Sequence, residues 1–167
     1  TPKTEVPFTI KLRIPSWARN QVLPGDLYSY KNTSTAKTIV TVNGKRIDYT
    51  EDKGYITITK KWKKGEKIVL DFPMEVKEVV TNTKVEGNIG KVALEYGPIV
   101  YAIEEVDNAA NFDAITIGAK DTFKVKKEDS LLEGVNTIQT ENLKAIPYYS
   151  WSNRGVGKMK VWINYKE

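Results

Sequence analysis

Val92-Ala93-Leu94-Glu95-Tyr96-Gly97-Pro98-Ile99-Val100-Tyr101-Ala102-Ile103 is the longest apolar run of the chain. In its first half Val92, Leu94 and Tyr96 alternate with Ala93, Glu95 and Gly97, the period of two that sends one set of side chains to a buried face. Gly97-Pro98 interrupts the ladder, because proline has no backbone N–H to donate and glycine tolerates unusual dihedrals. From Ile99 to Ile103 both side-chain sets are apolar, as in a strand covered on two faces. A strand, a break and a second strand is how a chain turns a corner or changes sheets in a β-sandwich.

The same pattern recurs on either side. Phe8, Ile10, Leu12 and Ile14 alternate with Thr9, Lys11 and Arg13, a half-buried strand that Pro15 ends. Asn43-Gly44, after Thr38 to Val42, is the strongest hairpin signal in the chain and calls for a type I′ turn. Further turns at Asp52-Lys53-Gly54 and Lys64-Gly65-Glu66 flank strands around Tyr55 to Thr59 and Ile68 to Phe72. Val76–Thr81, Phe112–Ile117, Thr122–Lys126, Val135–Thr140, Leu143–Pro147 and Met159–Tyr165 are predicted as strands. Lys127–Leu132 reads as a helical turn or an irregular link. The segment from Asn20 to Lys37, with Tyr28 and Tyr30, reads as a long polar loop of the binding or insertion kind. No stretch of ten residues has a helical period. The fold class is therefore all-β, an antiparallel β-sandwich of two small packed or interleaved modules. The expected division is 1–105 and 106–167, with the strand at 158–165 returning to the first module.

The 167 residues are 40% hydrophobic and 28% charged, a globular balance, with room for a real core. No apolar run approaches the roughly 20 residues of a membrane helix, so no membrane partner is expected. The start at Thr1, without Met, reads as a cut piece, and Thr1-Pro2-Lys3 as the tail of a strand from a preceding segment. The chain has no Cys and no His. This excludes thiol nucleophiles, Ser-His pairs, imidazole or thiolate zinc sites and disulfides, and leaves carboxylates as the acids, bases or ligands. Asp52, Asp107 and Asn108 sit in turns, but no loop has a recognised calcium-ligand spacing. No cofactor is expected. Lys60, Lys61, Lys63, Lys64 and Lys67 surround Trp62 and supply much of the net charge of +5. They read as solvated lysines that blunt a sheet end, and no nucleic-acid-binding motif accompanies them.

Several segments together resemble the C-terminal part of the family 127 glycoside hydrolases, the β-L-arabinofuranosidase-like enzymes. They are Leu12-Arg13-Ile14-Pro15-Ser16-Trp17-Ala18, Val42-Asn43-Gly44, Gly54-Tyr55 with Ile56 and Ile58, and Trp62-Lys63-Lys64-Gly65-Glu66. The apolar run from Val92 to Tyr101, Glu104-Glu105-Val106-Asp107-Asn108, Ile146 to Gly155 and Met159-Lys160-Val161-Trp162 continue the series. The resemblance implies a helical (α/α)₆ barrel that carries the chemistry, followed by β-sandwich domains of which this chain would be the whole. The family's catalytic apparatus, a zinc-bound Cys nucleophile with Cys, Glu and His helpers, belongs to the barrel and has no Cys or His here to match. The partner implied is that barrel, in the same polypeptide. A periplasmic or secreted parent is expected, and so is self-association of the isolated chain, a homodimer included.

The candidate contact residues are Tyr148, Tyr149, Trp151, Asn153 and Arg154, followed by Gly155 and Gly157. Flat aromatic faces stack on the C–H surfaces of sugars, and Asn and Arg donate to hydroxyls. The same residue types also mark protein interfaces. Two roles follow: part of a scaffold packed on the barrel, or an autonomous module for a plant-type or bacterial glycan. A third, a small two-carboxylate glycosidase, needs carboxyl groups about 5 to 9.5 Å apart in a cleft. Glu95, Glu104, Glu105 and Asp107 are the carboxylates near the apolar run, and Glu104 and Glu105 would point to opposite faces of one strand.

Overall fold

The computed structural model describes residues 2–167, the side chains of residues 109–111 excepted. Thr1, where the expected strand tail begins, lies outside them, and Pro2 and Lys3 form no strand. Sixteen strands follow: β1 Val6–Arg13, β2 Tyr28–Tyr30, β3 Ile39–Val42, β4 Lys45–Arg46, β5 Glu51–Asp52, β6 Tyr55–Trp62, β7 Ile68–Asp71 and β8 Val76–Thr81. Then come β9 Lys91–Tyr96, β10 Ile99–Glu104, β11 Thr116–Gly118, β12 Lys124–Glu128, β13 Val135–Gln139, β14 Lys144–Pro147, β15 Met159–Lys160 and β16 Ile163–Lys166. The only helical pieces among the described residues are short 3₁₀ segments. The fold is all-β and almost wholly antiparallel; β11 and β16 run parallel.

The chain forms two compact units, residues 1–21 with 34–73, and residues 22–33 with 74–167. In the first, the three-stranded sheets β1-β6-β5 and β4-β3-β7 enclose Ile14, Val40, Ile56, Ile58 and Trp62. The alternation along β6 explains its side of this core: Ile56, Ile58 and Trp62 point in while Tyr55, Thr57 and Thr59 point out. The indole N–H of Trp62 donates to the Phe8 carbonyl at 2.9 Å, so this large side chain is buried without stranding its polar atom. Asn43 and Gly44 have φ of 53° and 79°, the paired positive values of a type I′ turn. Lys60, within the lysine cluster, is bound to Glu66, whose carboxylate also accepts from Asn43.

The second unit is built on the apolar run. Tyr96 pairs with Ile99 across a two-residue turn in which Gly97 takes φ 59°, the positive first position of a type II′ hairpin. Strand β9 pairs with β16 through Lys91 and Val92 and with β8 through Ala93 to Tyr96. Strand β10 leaves β9 after Val100 and pairs with β14 and β15 from Tyr101 onward. The hairpin thus changes partners along its length. Tyr101 to Glu104 are buried on both faces, and Val92, Leu94, Tyr101, Ile103, Ile138 and Ile163 meet in one core.

Four local expectations are revised. Tyr28–Tyr30, within the expected polar loop, is a strand that pairs with Val79–Thr81; Tyr28 stacks on Trp162 and Tyr30 is buried. These tyrosines are structural and do not form a binding loop. Residues 109–114, where a strand was expected to begin, form a 3₁₀ segment, and only Thr116–Gly118 is extended. Lys127–Leu132 is not helical: β12 runs to Glu128, and a turn with positive φ at Leu132, Glu133 and Gly134 follows. The last strand breaks at Val161-Trp162, since its two halves join different partners, β10 and β9. Both partners lie in the same compact unit as the final segment, residues 22–33 with 74–167. The compact units, however, divide at Pro73–Met74 and not after Glu105, because β10 and β14 are hydrogen-bonded neighbours across position 105.

Candidate functional site

Strand β14 ends at Pro147, whose fixed φ hands the chain to a 3₁₀ turn at Tyr148–Ser150. Ser150 is buried, its hydroxyl donating to the Pro147 carbonyl at 2.6 Å. The aromatic residues around it point the other way. Tyr148 and Trp151 are substantially exposed, with ring centroids 6.5 Å apart and planes at 44°. Tyr149 is 60% exposed. The structure therefore brings the three predicted aromatic residues together at the surface.

The two predicted polar residues are used differently. The Asn153 amide donates to the Ser150 and Trp151 carbonyls, at 3.1 and 3.3 Å, and so closes its own loop. The Arg154 guanidinium turns back onto Glu104 and Asp107, meeting Asp107 Oδ1 at 2.9 Å through one nitrogen and both carboxylates through the other. The Glu104 side chain is only 8% exposed. Its second oxygen accepts the Ser152 backbone N–H at 2.7 Å, holding Ser152 in the left-handed region at φ 64°. Both side chains thus make bonds within the protein.

Three further residues complete this anchor. Lys144 lies 3.3 Å from Asp107 and 3.1 Å from Glu128, extending the ion pairs into a chain of five charged groups. Burial alone raises the Asp107 carboxyl, but hydrogen bonds and charge from Arg154 and Lys144 outweigh it and hold the group below the usual aspartate range. Hydrogen bonding to Asp107, opposed by burial and joined by Glu104, pushes the guanidinium further up. Asn108 donates to the Glu104 and Lys144 carbonyls at 2.8 and 2.9 Å, and accepts the Lys144 N–H at 2.9 Å, so its amide stitches the end of β10 to the start of β14. Sequence reading passed over Lys144, Glu128 and the role of Asn108. Asp107-Asn108 after an apolar strand was the available signal, and its partners lie tens of residues away.

The other carboxylate near the apolar run, Glu95, accepts the Tyr30 hydroxyl at 2.6 Å. Desolvation raises its carboxyl above the ordinary glutamate value, against the opposing effects of Tyr30 and Lys77. A polar groove of about 660 Å³ opens beside Asp107, Asn108, Gln139, Thr140 and Lys144, with no aromatic wall. Glu104 and Asp107 share one guanidinium, and both side chains are mostly buried. Among the described residues no group of three or more Asp or Glu gathers as a metal site requires. With Cys and His missing from the chain, the residues present do not fit a thiolate zinc centre.

Comparison with known proteins accounts for nearly every residue. Residues 1–74 match the β-L-arabinofuranosidase GH127 middle domain, and residues 76–164 match the glycoside hydrolase family 127 C-terminal domain. A non-reducing end β-L-arabinofuranosidase of Bifidobacterium longum subsp. longum is 30% identical, over 90% of this chain and 25% of its own length. A GH127 β-arabinofuranosidase of known structure is 40% identical, with a TM-score of 0.88 over 98% of this chain and 29% of that one. The GH127 β-L-arabinofuranosidase of Geobacillus stearothermophilus T6 is 33% identical, with a TM-score of 0.81 over 99% of this chain and 28% of that one. The chain spans between a quarter and a third of these relatives. It belongs to glycoside hydrolase family 127, as the middle and C-terminal domains of that family.

Proposed function

We propose that this chain is the scaffold of an arabinofuranosidase-like enzyme, supporting a catalytic barrel in the same polypeptide and having no hydrolytic activity alone. The observation that carries the reading is one of extent. The two matched domains cover residues 1–74 and 76–164, while the relatives named for the activity are three to four times as long. The internal pairing of Glu95, Glu104, Glu105 and Asp107 supports it, since each carboxylate near the apolar run is already bound to a neighbour. The test compares the full polypeptide with residues 1–167 on a chromogenic β-L-arabinofuranoside. Hydrolysis by the former and none above buffer by the latter is expected; turnover by residues 1–167 overturns the reading. An extracytoplasmic location is part of the proposal, checked by fractionating cells that carry the intact gene.

The exposure of Tyr148, Tyr149 and Trp151 favours a second reading, an autonomous glycan-binding module. Titration calorimetry with arabinose-containing oligosaccharides tests it: binding that Trp151→Ala abolishes without unfolding the chain would establish the module.

A further inference from the structure

We infer that the loop from Tyr148 to Gly157, with Val106 beside it, is the surface by which this chain docks onto the catalytic portion of its own polypeptide; the inference rests on the scaffold reading above. The loop exposes several large apolar side chains. Val156 is fully exposed, Val106 is 61% exposed, and the two share one shallow recess with the charged Glu104, Glu105, Arg154 and Lys158, each bound to a neighbour within the protein. Tyr148, Tyr149 and Trp151 continue it along the same loop. Large exposed apolar side chains gathered on one loop mark an interaction site, and Tyr and Trp are what interface centres are made of.

The chemistry favours protein over sugar. A sugar site needs directional donors around its aromatic faces, and here the two polar side chains are engaged within the protein, Asn153 with its own backbone and Arg154 with Glu104 and Asp107. Branched aliphatic side chains such as Val106 and Val156 offer a sugar ring neither a flat stacking face nor a hydrogen bond, but they fit an apolar protein recess. The loop is also set before any partner arrives. Glu104 holds the Ser152 N–H, Arg154 is clamped on two carboxylates, and Glu105 brackets Lys158, its N–H donating to the Lys158 carbonyl at 3.0 Å and its carboxylate accepting the Lys158 N–H at 3.2 Å. A surface fixed in advance loses little conformational entropy on docking. The occupant is the catalytic portion because the solved relatives carry more than twice this chain's length of further polypeptide beside these domains.

The experiment is hydrogen–deuterium exchange over residues 148–157, in residues 1–167 alone and in the full polypeptide, with hydrolysis assayed on the same samples. Exchange slowed about tenfold or more in the full polypeptide is expected, as burial against a partner would produce. A full polypeptide that cleaves arabinofuranosides yet exchanges this loop as fast as residues 1–167 do overturns the docking surface and spares the scaffold reading. One that cleaves nothing takes both down. Tyr149→Asp and Val156→Asp should leave the melting midpoint of residues 1–167 within about 1 °C, as exposed sites do, and lower that of the full polypeptide by about 4 °C or more. Equal shifts in both proteins make the residues merely structural and overturn the inference. So does quenching of indole fluorescence by arabino-oligosaccharides in residues 1–167 that Tyr149→Asp abolishes, which assigns the surface to a glycan.

Discussion

Arg154 shows how one side chain can be misjudged from its neighbours in sequence. Beside Tyr148, Tyr149 and Trp151 it reads as a ligand contact, yet its partners are Glu104 and Asp107, 50 and 47 residues away. Composition reveals that an Arg is present; it does not reveal which distant carboxylate the fold will carry to it. Arg154→Ala leaves the mostly buried Glu104 without its counter-ion and should lower stability by about 2 kcal/mol, visible in the urea midpoint, since an uncompensated buried charge is costly. Arg154→Lys should recover only part of the loss, because a lysine ammonium cannot span two carboxylates as the planar fork does. An unchanged midpoint in Arg154→Ala would remove the anchor from this account. Asp107 adds a pH signature. Its folded carboxyl ionises more readily than in the unfolded chain, so its contribution is fully present above the ordinary value of 3.8 and drains away as pH falls through the lower folded value. Melting curves of wild type and Asp107→Asn should accordingly be well separated near neutral pH and converge below about pH 4.

Among the elements, the β9–β10 hairpin was the most legible. Alternation, a Gly-Pro break and a doubly apolar second strand sufficed to foresee a change of sheet partners. The reason is that burial on two faces leaves no ambiguity of face for Tyr101, Ala102 and Ile103. Gly97→Ala places a Cβ at φ 59° and should cost about 1 kcal/mol by chemical denaturation. Gly87→Ala, at an ordinary φ with open space around its Cβ, serves as the control and should shift stability by no more than about 0.5 kcal/mol. Equal effects at both sites would deny the turn its special backbone requirement. Strand β2 was illegible for the opposite reason. Tyr28-Ser29-Tyr30 is too short to display a period, and its partner β8 is remote in sequence, so nothing local separates it from the polar loop around it.

For the whole molecule, the sequence made the class and the family plain but misplaced the border between units. Patterning reports which face of a strand is buried and says little about which strand lies beside it. The chain passes from one unit to the other after Gln21, after Thr33 and after Pro73. Residues 74–167 alone therefore lack β2, leave the β8 edge open and withdraw Tyr30 from Glu95. That fragment should melt lower and aggregate more readily than residues 1–167, and a synthetic peptide of residues 22–33 should restore part of the lost melting temperature in circular dichroism. Indifference to the peptide would show β2 to be dispensable. The loan of this strand also bears on how such proteins can be recombined. A chimera joined between relatives at Pro73 would inherit β2 from one parent and the β8 and Glu95 that receive it from the other, so viable exchanges should be those in which residues 22–33 travel with the downstream half.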